Sequence, residues 1–210
     1  MEVRARSTED IYSRLIQDFY DKGYGVADSF LPADSCAGIL AELQAEQADG
    51  AFHKAGVGKD ASHQVIHTLR GDYIKWLEPD AQQPHTLSYL RELDHLRLAL
   101  NRRCFLGLQD YEVHMTQYPP NTCYHRHVDA FHSDDNRRVS IVLYLNFDWR
   151  PEHDGRLLLY PENYKGGSVE ILPKVGRLAL FESILEHEVL PATQRRYSIT
   201  GWMLRDKRLF

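Results

Sequence analysis

An α+β architecture is predicted for this chain: a double-stranded β-helix, or jelly roll, buttressed by N-terminal helices. Two observations predict it. Over roughly the first 105 residues, apolar side chains recur at helical spacing in three segments. From residue 109 on, β-like runs follow one another about every ten residues, at 110–118, 123–128, 137–146, 155–160, 167–172, 176–181, 185–190 and 195–204. Turn-forming residues separate them, among them Pro119-Pro120-Asn121, Gly166-Gly167 and Pro191. Strands at that interval suit a sandwich or barrel, and helices that precede them suit one face of it.

The elements follow in order. Residues 7–22 begin with Ser7 or Thr8 as a cap and Glu9 and Asp10 in the first turn. Ile11, Leu15, Ile16, Phe19 and Tyr20 give this helix its apolar side, and Gly23-Tyr24-Gly25 stops it. Val26–Phe30 reads as a short extended piece. A second helix is expected over 33–47 on Ile39, Leu40 and Leu43. Residues 50–68 are irregular and rich in Gly, His, Lys and Ala. A segment of that length is either a lid over a binding site or a disordered surface loop. Residues 69–80 read as extended, turning near Pro79. A third helix, 85–103, carries Leu87, Leu90, Leu93, Leu96 and Leu100, a stripe that indicates packing. The whole of 1–210 reads as a single domain, with 1–105 as mainly helical support and 106–210 as the jelly-roll core.

The bulk properties bound the function. With 43% hydrophobic residues, 26% charged residues and a net charge of −5, the chain shows no compositional sign of nucleic-acid or membrane affinity. Its three cysteines, Cys36, Cys104 and Cys123, are odd in number and far apart, which fits reduced thiols better than a disulfide framework. The first ten residues hold no apolar signal core, and no run of about 18 apolar residues occurs. A cytoplasmic monomer is the expectation.

The chemistry centres on 118–129, YPPNTCYHRHVD. Residues i and i+2 of a strand share a face, so His127 and Asp129 could aim an imidazole and a carboxylate at one metal ion. A third ligand would come from far downstream, with His187 the candidate. Two histidines and one carboxylate form the facial triad of non-haem Fe(II) oxygenases. H-x-D occurs a second time at His132-Ser133-Asp134, but in a polar, loop-like stretch without a fixed face. His125 is a rival ligand on the first strand, though only His127 has a carboxylate two residues on. A strand bearing His187, a turn at Pro191 and a strand bearing Arg196 would lie as antiparallel neighbours. That would put a guanidinium in the cavity of the metal, where it needs a fixed anion. A distant Glu or Asp is one source of that anion, and a dicarboxylate such as 2-oxoglutarate is the other.

Beyond these single motifs, the chain from about 68 to 203 resembles the 2-oxoglutarate/Fe(II)-dependent oxygenases, and within them the prolyl 4-hydroxylases of the hypoxia-sensing type and their bacterial relatives. The resemblance is carried by Arg70-Gly71-Asp72 with Ile74 and Trp76, by Tyr118-Pro119, and by Tyr124 with Arg126-His127-Val128-Asp129. It continues through Tyr144-Leu145-Asn146 with Asp148-Trp149, and His187-Glu188-Val189 with Pro191-Ala192. It ends at Arg196-Tyr197 and Ile199-Thr200 with Trp202. It implies that His127, Asp129 and His187 ligate iron. It implies that Arg196 and Tyr144 hold the distal carboxylate of 2-oxoglutarate, and that Tyr118 and Thr200 line the co-substrate region. Tyr124 and Trp202 match aromatic walls at the substrate opening, and Asp72 and Arg137 match a pair at its rim. Fe(II), 2-oxoglutarate and O₂ are the implied cofactor and co-substrates, with ascorbate as an optional addition. The implied reaction hydroxylates a prolyl residue of a protein, with elongation factor Tu as the suggested target, and releases succinate and CO₂. An oxygenase acting on a small molecule such as free proline, and a non-catalytic metal-binding jelly-roll sensor, are the alternatives. The sequence departs from the family around the substrate rim, where the loop after Asp129 is longer and carries His132 and Asp134.

Overall fold

Strict alternation along the long strands sets the layering. In β6 (Arg137–Tyr144), Val139, Ile141 and Leu143 face one way and Val142 and Tyr144 the other. β9 (Leu178–Glu182) repeats this, with Leu178 and Leu180 opposite Ala179 and Phe181. All of these residues are buried, so both faces of the sheet are covered. The architecture is that of a computed structural model, which describes residues 8–55, 71–78, 83–130, 136–162 and 165–207.

Three helices, α1 (Thr8–Lys22), α2 (Ala33–Ala48) and α3 (Pro84–Cys104), cover one face. They fall within a residue of their expected bounds. Ser7, one of the two expected caps of α1, lies outside the described residues. α1 ends where Gly23 takes φ +76°, a conformation that a side chain disfavours. Pro84 opens α3, where its missing N–H costs nothing. The next two backbone N–H groups, of His85 and Thr86, donate to the Glu42 carboxylate at 2.9 and 2.8 Å. A side chain of α2 therefore caps α3 and places negative charge at its N-terminus. Leu93, Leu96 and Leu100 of α3 pack with Leu15, Ile16, Ile39 and Leu43 onto the sheet. From Leu90 on the leucine stripe is core, as its spacing predicts, and Leu87 is half-buried. Leu96→Ala should cost about 2–5 kcal/mol of stability, read from the urea midpoint.

The larger sheet has the order β1-β9-β6-β11-β4-β3-β2, all antiparallel, with β1 (Tyr24–Ala27), β2 (His53–Lys54), β3 (Tyr73–Leu77), β4 (Asp110–Tyr118) and β11 (Arg196–Leu204). The smaller sheet has the order β5-β10-β7-β8, with β5 (Tyr124–His127), β7 (Leu157–Leu159), β8 (Val169–Ile171) and β10 (His187–Val189). A second core lies between the sheets, where Tyr118, Val142, Tyr144 and Phe181 meet Leu157, Leu159, Ile171 and Val189. The jelly roll with helical buttress is as the sequence predicts. Part of the 50–68 segment is more ordered than expected, because His53 and Lys54 pair with Ile74 and Tyr73. Its residues 56–68 lie outside the described residues, as do His132 and Asp134.

One expected neighbour relation is overturned. β10 and β11 are not paired: β10 lies between β5 and β7, whereas β11 lies between β4 and β6. The chain changes sheets between them. Pro191 has no N–H to continue a ladder, and Ala192 instead bridges to Asp154. His187 and Arg196 therefore approach a shared interior from opposite sheets. No helix among the described residues is long and apolar enough to cross a membrane.

Candidate metal centre

His127 ends β5 and His187 begins β10, and register places them directly opposite one another. Their ring centres are 4.2 Å apart. Asp129 completes the group, although by a route other than the one expected. β5 stops at His127, so the strand pleat does not aim the carboxylate. Instead the backbone N–H groups of Asp129 and Ala130 both donate to the Ser183 carbonyl, each at 3.0 Å. This turn brings Asp129 Oδ1 to 3.7 Å from His127 Nε2, and Oδ2 to 3.4 Å from His187 Nε2. The ligand atoms of the three residues all lie within 4.8 Å of one another. His125, the rival, is exposed and stands near Cys123.

The tautomers suit a metal. His127 Nδ1 lies 2.7 Å from the carbonyl of His125, and His187 Nδ1 lies 2.9 Å from that of Leu185. A carbonyl only accepts, so each Nδ1 carries the proton and each Nε2 presents its lone pair to the centre. Burial lowers the pKa of His187 against the opposing attraction of Asp129, which keeps the imidazole neutral. Burial alone would raise that of Asp129. The His187 and His127 rings beside its two oxygens and the hydrogen bond from Ser140 outweigh it and hold the carboxyl well below its ordinary range. Ser140 of β6 donates to Asp129 Oδ2 at 2.7 Å and sits 3.0 Å from the Ser183 hydroxyl. Two imidazoles with their Nε2 atoms turned inward and one ionised carboxylate match what a divalent transition metal requires.

Beside this group lies a buried cation. Arg196 is 2% exposed and has no ion-pair partner among the described residues, and its Nε makes no hydrogen bond. The distant Glu or Asp that could have neutralised it is therefore not among them. Its Cζ stands 5.0 Å from the ring centre of Tyr118 and 5.1 Å from that of Tyr144. The Tyr144 hydroxyl is likewise buried and unpartnered, and burial raises its pKa against the field of Arg196. An unpaired guanidinium and phenol in an interior are costly unless an anion satisfies them. A carboxylate from outside the chain fits both.

The profile of the 2OG-Fe(II) oxygenase superfamily matches residues 113–204, which span all of these groups. A Pseudomonas putida prolyl-4-hydroxylase is 38% identical, with a TM-score of 0.83 over 93% of this chain and 100% of that one. This chain belongs to the 2OG-Fe(II) oxygenases of the prolyl-hydroxylase type. A prolyl hydroxylase from Trichoplax adhaerens, solved with a hypoxia-inducible-factor peptide fragment, is 29% identical with a TM-score of 0.82, over 94% of this chain and 90% of that one. Egl nine homolog 1 of Homo sapiens is 34% identical over 191 residues, 86% of this chain and 43% of that protein. The chain spans about half the length of the curated relatives it matches first.

The remaining candidate residues of this prolyl-hydroxylase-type chain divide into those drawn together and those set apart. Tyr124 stacks on His127 at 3.6 Å between ring centres. Thr200 lies opposite His114 and Val142 on the inner face of β11, and Trp202 lies opposite Ser140, the partner of Asp129. The Asp72–Arg137 pair does not form. Arg137 instead gives its Nε to Glu112 at 2.8 Å and lays its guanidinium 3.5 Å above the Trp202 ring. Glu112 is one strand away in register with Trp202, which places its carboxylate within reach. Asp72 is buried on the approach to β3, where its carbonyl accepts from Ala55 N–H.

Sequence reading missed two supports and gave a third no role. Ser140 was unmarked, and only its hydrogen bond to Asp129 reveals it. Gly155, at φ +70°, leaves no room for a Cβ, which would lie 2.8 Å from Ala192 Cβ and 3.5 Å from Arg196 Cδ. Asn146 was visible only as part of a motif. Its Nδ2 donates to the carbonyls of Pro173 and Tyr197 at 2.8 and 3.0 Å, and its Oδ1 accepts from Tyr197 N–H at 2.7 Å. It extends the β6–β11 ladder by one rung and fixes the backbone beside Arg196. Asn146→Ala leaves the Pro173 carbonyl and the Tyr197 N–H to find new partners, while the Tyr197 carbonyl keeps the Leu145 N–H at 3.2 Å, and should lower stability by about 1–3 kcal/mol. The thermal midpoint checks this.

Proposed function

We propose that this chain is an Fe(II)- and 2-oxoglutarate-dependent dioxygenase that hydroxylates a prolyl residue in a protein substrate, releasing succinate and CO₂. The observation that carries the reading is the His127–Asp129–His187 group beside a buried Arg196 with no anion of its own. In this reading His127 Nε2, the Asp129 carboxylate and His187 Nε2 would hold Fe(II). The iron, when bound, supplies the O₂ chemistry that couples oxidative decarboxylation of 2-oxoglutarate to oxidation of a C–H bond. The chain's own residues position the reactants. Arg196 pairs with the distal carboxylate of 2-oxoglutarate, Tyr144 donates to it, and Tyr118 and Thr200 border the same space. Ser140 keeps the Asp129 carboxylate turned to the centre. Holding both reactants in a fixed geometry is the protein's main contribution to rate.

For the substrate, the aromatic surfaces of Tyr124 and Trp202 flank the centre, and Arg137 and Asp72 belong to its surroundings. The Trichoplax relative was solved in complex with a peptide fragment, and that supports a peptidyl target here. Elongation factor Tu is the first protein to test, with a monomeric, cytoplasmic enzyme as part of the same proposal. The test is mass spectrometry of cell proteins incubated with and without the enzyme, Fe(II) and 2-oxoglutarate. A one-oxygen gain on a prolyl peptide is expected. Brisk succinate release in the presence of free proline, with no modified peptide, would replace this reading by one of small-molecule oxidation.

A further inference from the structure

On the inner face of the larger sheet, register puts Thr116 of β4 opposite Ser198 of β11, and Ser198 opposite Tyr144 of β6. Arg196, two residues before Ser198 on β11, shares that face. Along this row the Thr116 hydroxyl, the Tyr144 hydroxyl and Arg196 Nε are all buried and all without a hydrogen-bond partner. Thr116 is 1% exposed. Ser198 does have a neighbour, the Thr200 hydroxyl at 3.4 Å. Three orphaned donors on adjacent strands are costly one by one, whereas a single ligand with several acceptor oxygens would satisfy them together. Val at position 116 would fill the same space without that cost, so packing does not account for the hydroxyl.

We propose that Thr116 is a third donor to the 2-oxo acid, alongside Arg196 and Tyr144. This rests on the assignment of Arg196 and Tyr144 to the distal carboxylate. The carboxylate has about four lone-pair sites, more than a guanidinium fork and one phenol occupy. The Thr116 hydroxyl takes one of the remaining sites and selects for a dicarboxylic over a monocarboxylic 2-oxo acid.

Thr116→Val tests this, because the two roles of a threonine predict opposite results. The readouts are calorimetric binding of 2-oxoglutarate to the Mn(II)-loaded protein, Mn(II) binding itself, and the thermal midpoint of the metal-free protein. Thr116→Val should weaken 2-oxoglutarate binding roughly ten- to hundred-fold, the loss of one hydrogen bond to a charged group. Mn(II) affinity should stay unchanged, and the metal-free midpoint should hold or rise. Thr116→Ser, which keeps the hydroxyl, should restore most of the affinity. Unchanged 2-oxoglutarate affinity in Thr116→Val overturns the proposal. So does a fall in affinity accompanied by a fall in the metal-free midpoint, which would make Thr116 a packing residue. If Thr116→Val does not fold, Thr116→Ala is read in the same way. Failure of the underlying reading looks different: wild type would not bind 2-oxoglutarate at all, or Arg196→Met would bind it as wild type does.

Discussion

Asp129→Ala is expected to abolish succinate formation from 2-oxoglutarate and to remove the thermal stabilisation that Mn(II) or Fe(II) gives the wild-type protein. Asp129 is the single carboxylate among the three candidate ligands, and its oxygens face both imidazoles, at 3.7 and 3.4 Å. Without it two imidazoles remain, a weaker and less selective site for a divalent metal. The stabilising effect of a bound metal follows mass action and reaches about 2.7 kcal/mol at a hundred times Kd. The variant should lose that increment while its metal-free stability changes little. The Ser140 hydroxyl that now donates to Asp129 has the Ser183 hydroxyl 3.0 Å away as a second partner, so it is not orphaned. His127→Ala should match the loss of turnover. Retained succinate formation in either variant would overturn the metal assignment.

Arg196→Ala should raise the 2-oxoglutarate concentration needed for half-maximal turnover by roughly a hundred-fold or more, while the requirement for iron moves little. The estimate follows from two charge-assisted hydrogen bonds, each worth about 1.5–3 kcal/mol. The split between the two requirements is the informative part. Arg196 lies on the larger sheet and the three candidate ligands lie on or beside the smaller one, so its loss leaves their supports in place. A second readout separates binding from structure. Because Arg196 has no ion-pair partner among the described residues, its removal strands no buried carboxylate there. Arg196→Met, which keeps the apolar stem, should leave the metal-free protein at least as stable as wild type. Equal shifts in the iron and 2-oxoglutarate requirements would mark Arg196 as structural.

Local pattern made much of this protein legible. The 3.6-residue period of Leu87 to Leu100 identifies α3, and the β-like runs divided by turn residues from 109 on identify the strands, because side-chain direction is a local property of the backbone. The ligand residues stood out for a related reason: histidine and aspartate two residues apart, with His187 and Arg196 downstream, form a chemical pattern that survives in one dimension. What the tertiary structure alone decided is how residues far apart in sequence meet. Pairing of β10 with β5 sets His187 against His127, and the turn held by Ser183 rather than the strand pleat directs Asp129. The change of sheet at Pro191 separates the His187 and Arg196 strands, which their sequence order had suggested were neighbours. Glu112 takes Arg137 from its expected partner Asp72, and Thr116 reaches the same row as Tyr144 only through the strand between them. The physical reason is common to all five. Periodicity and residue type are written along the chain, whereas register and sheet assignment arise from pairings across it, and those depend on the whole core closing at once.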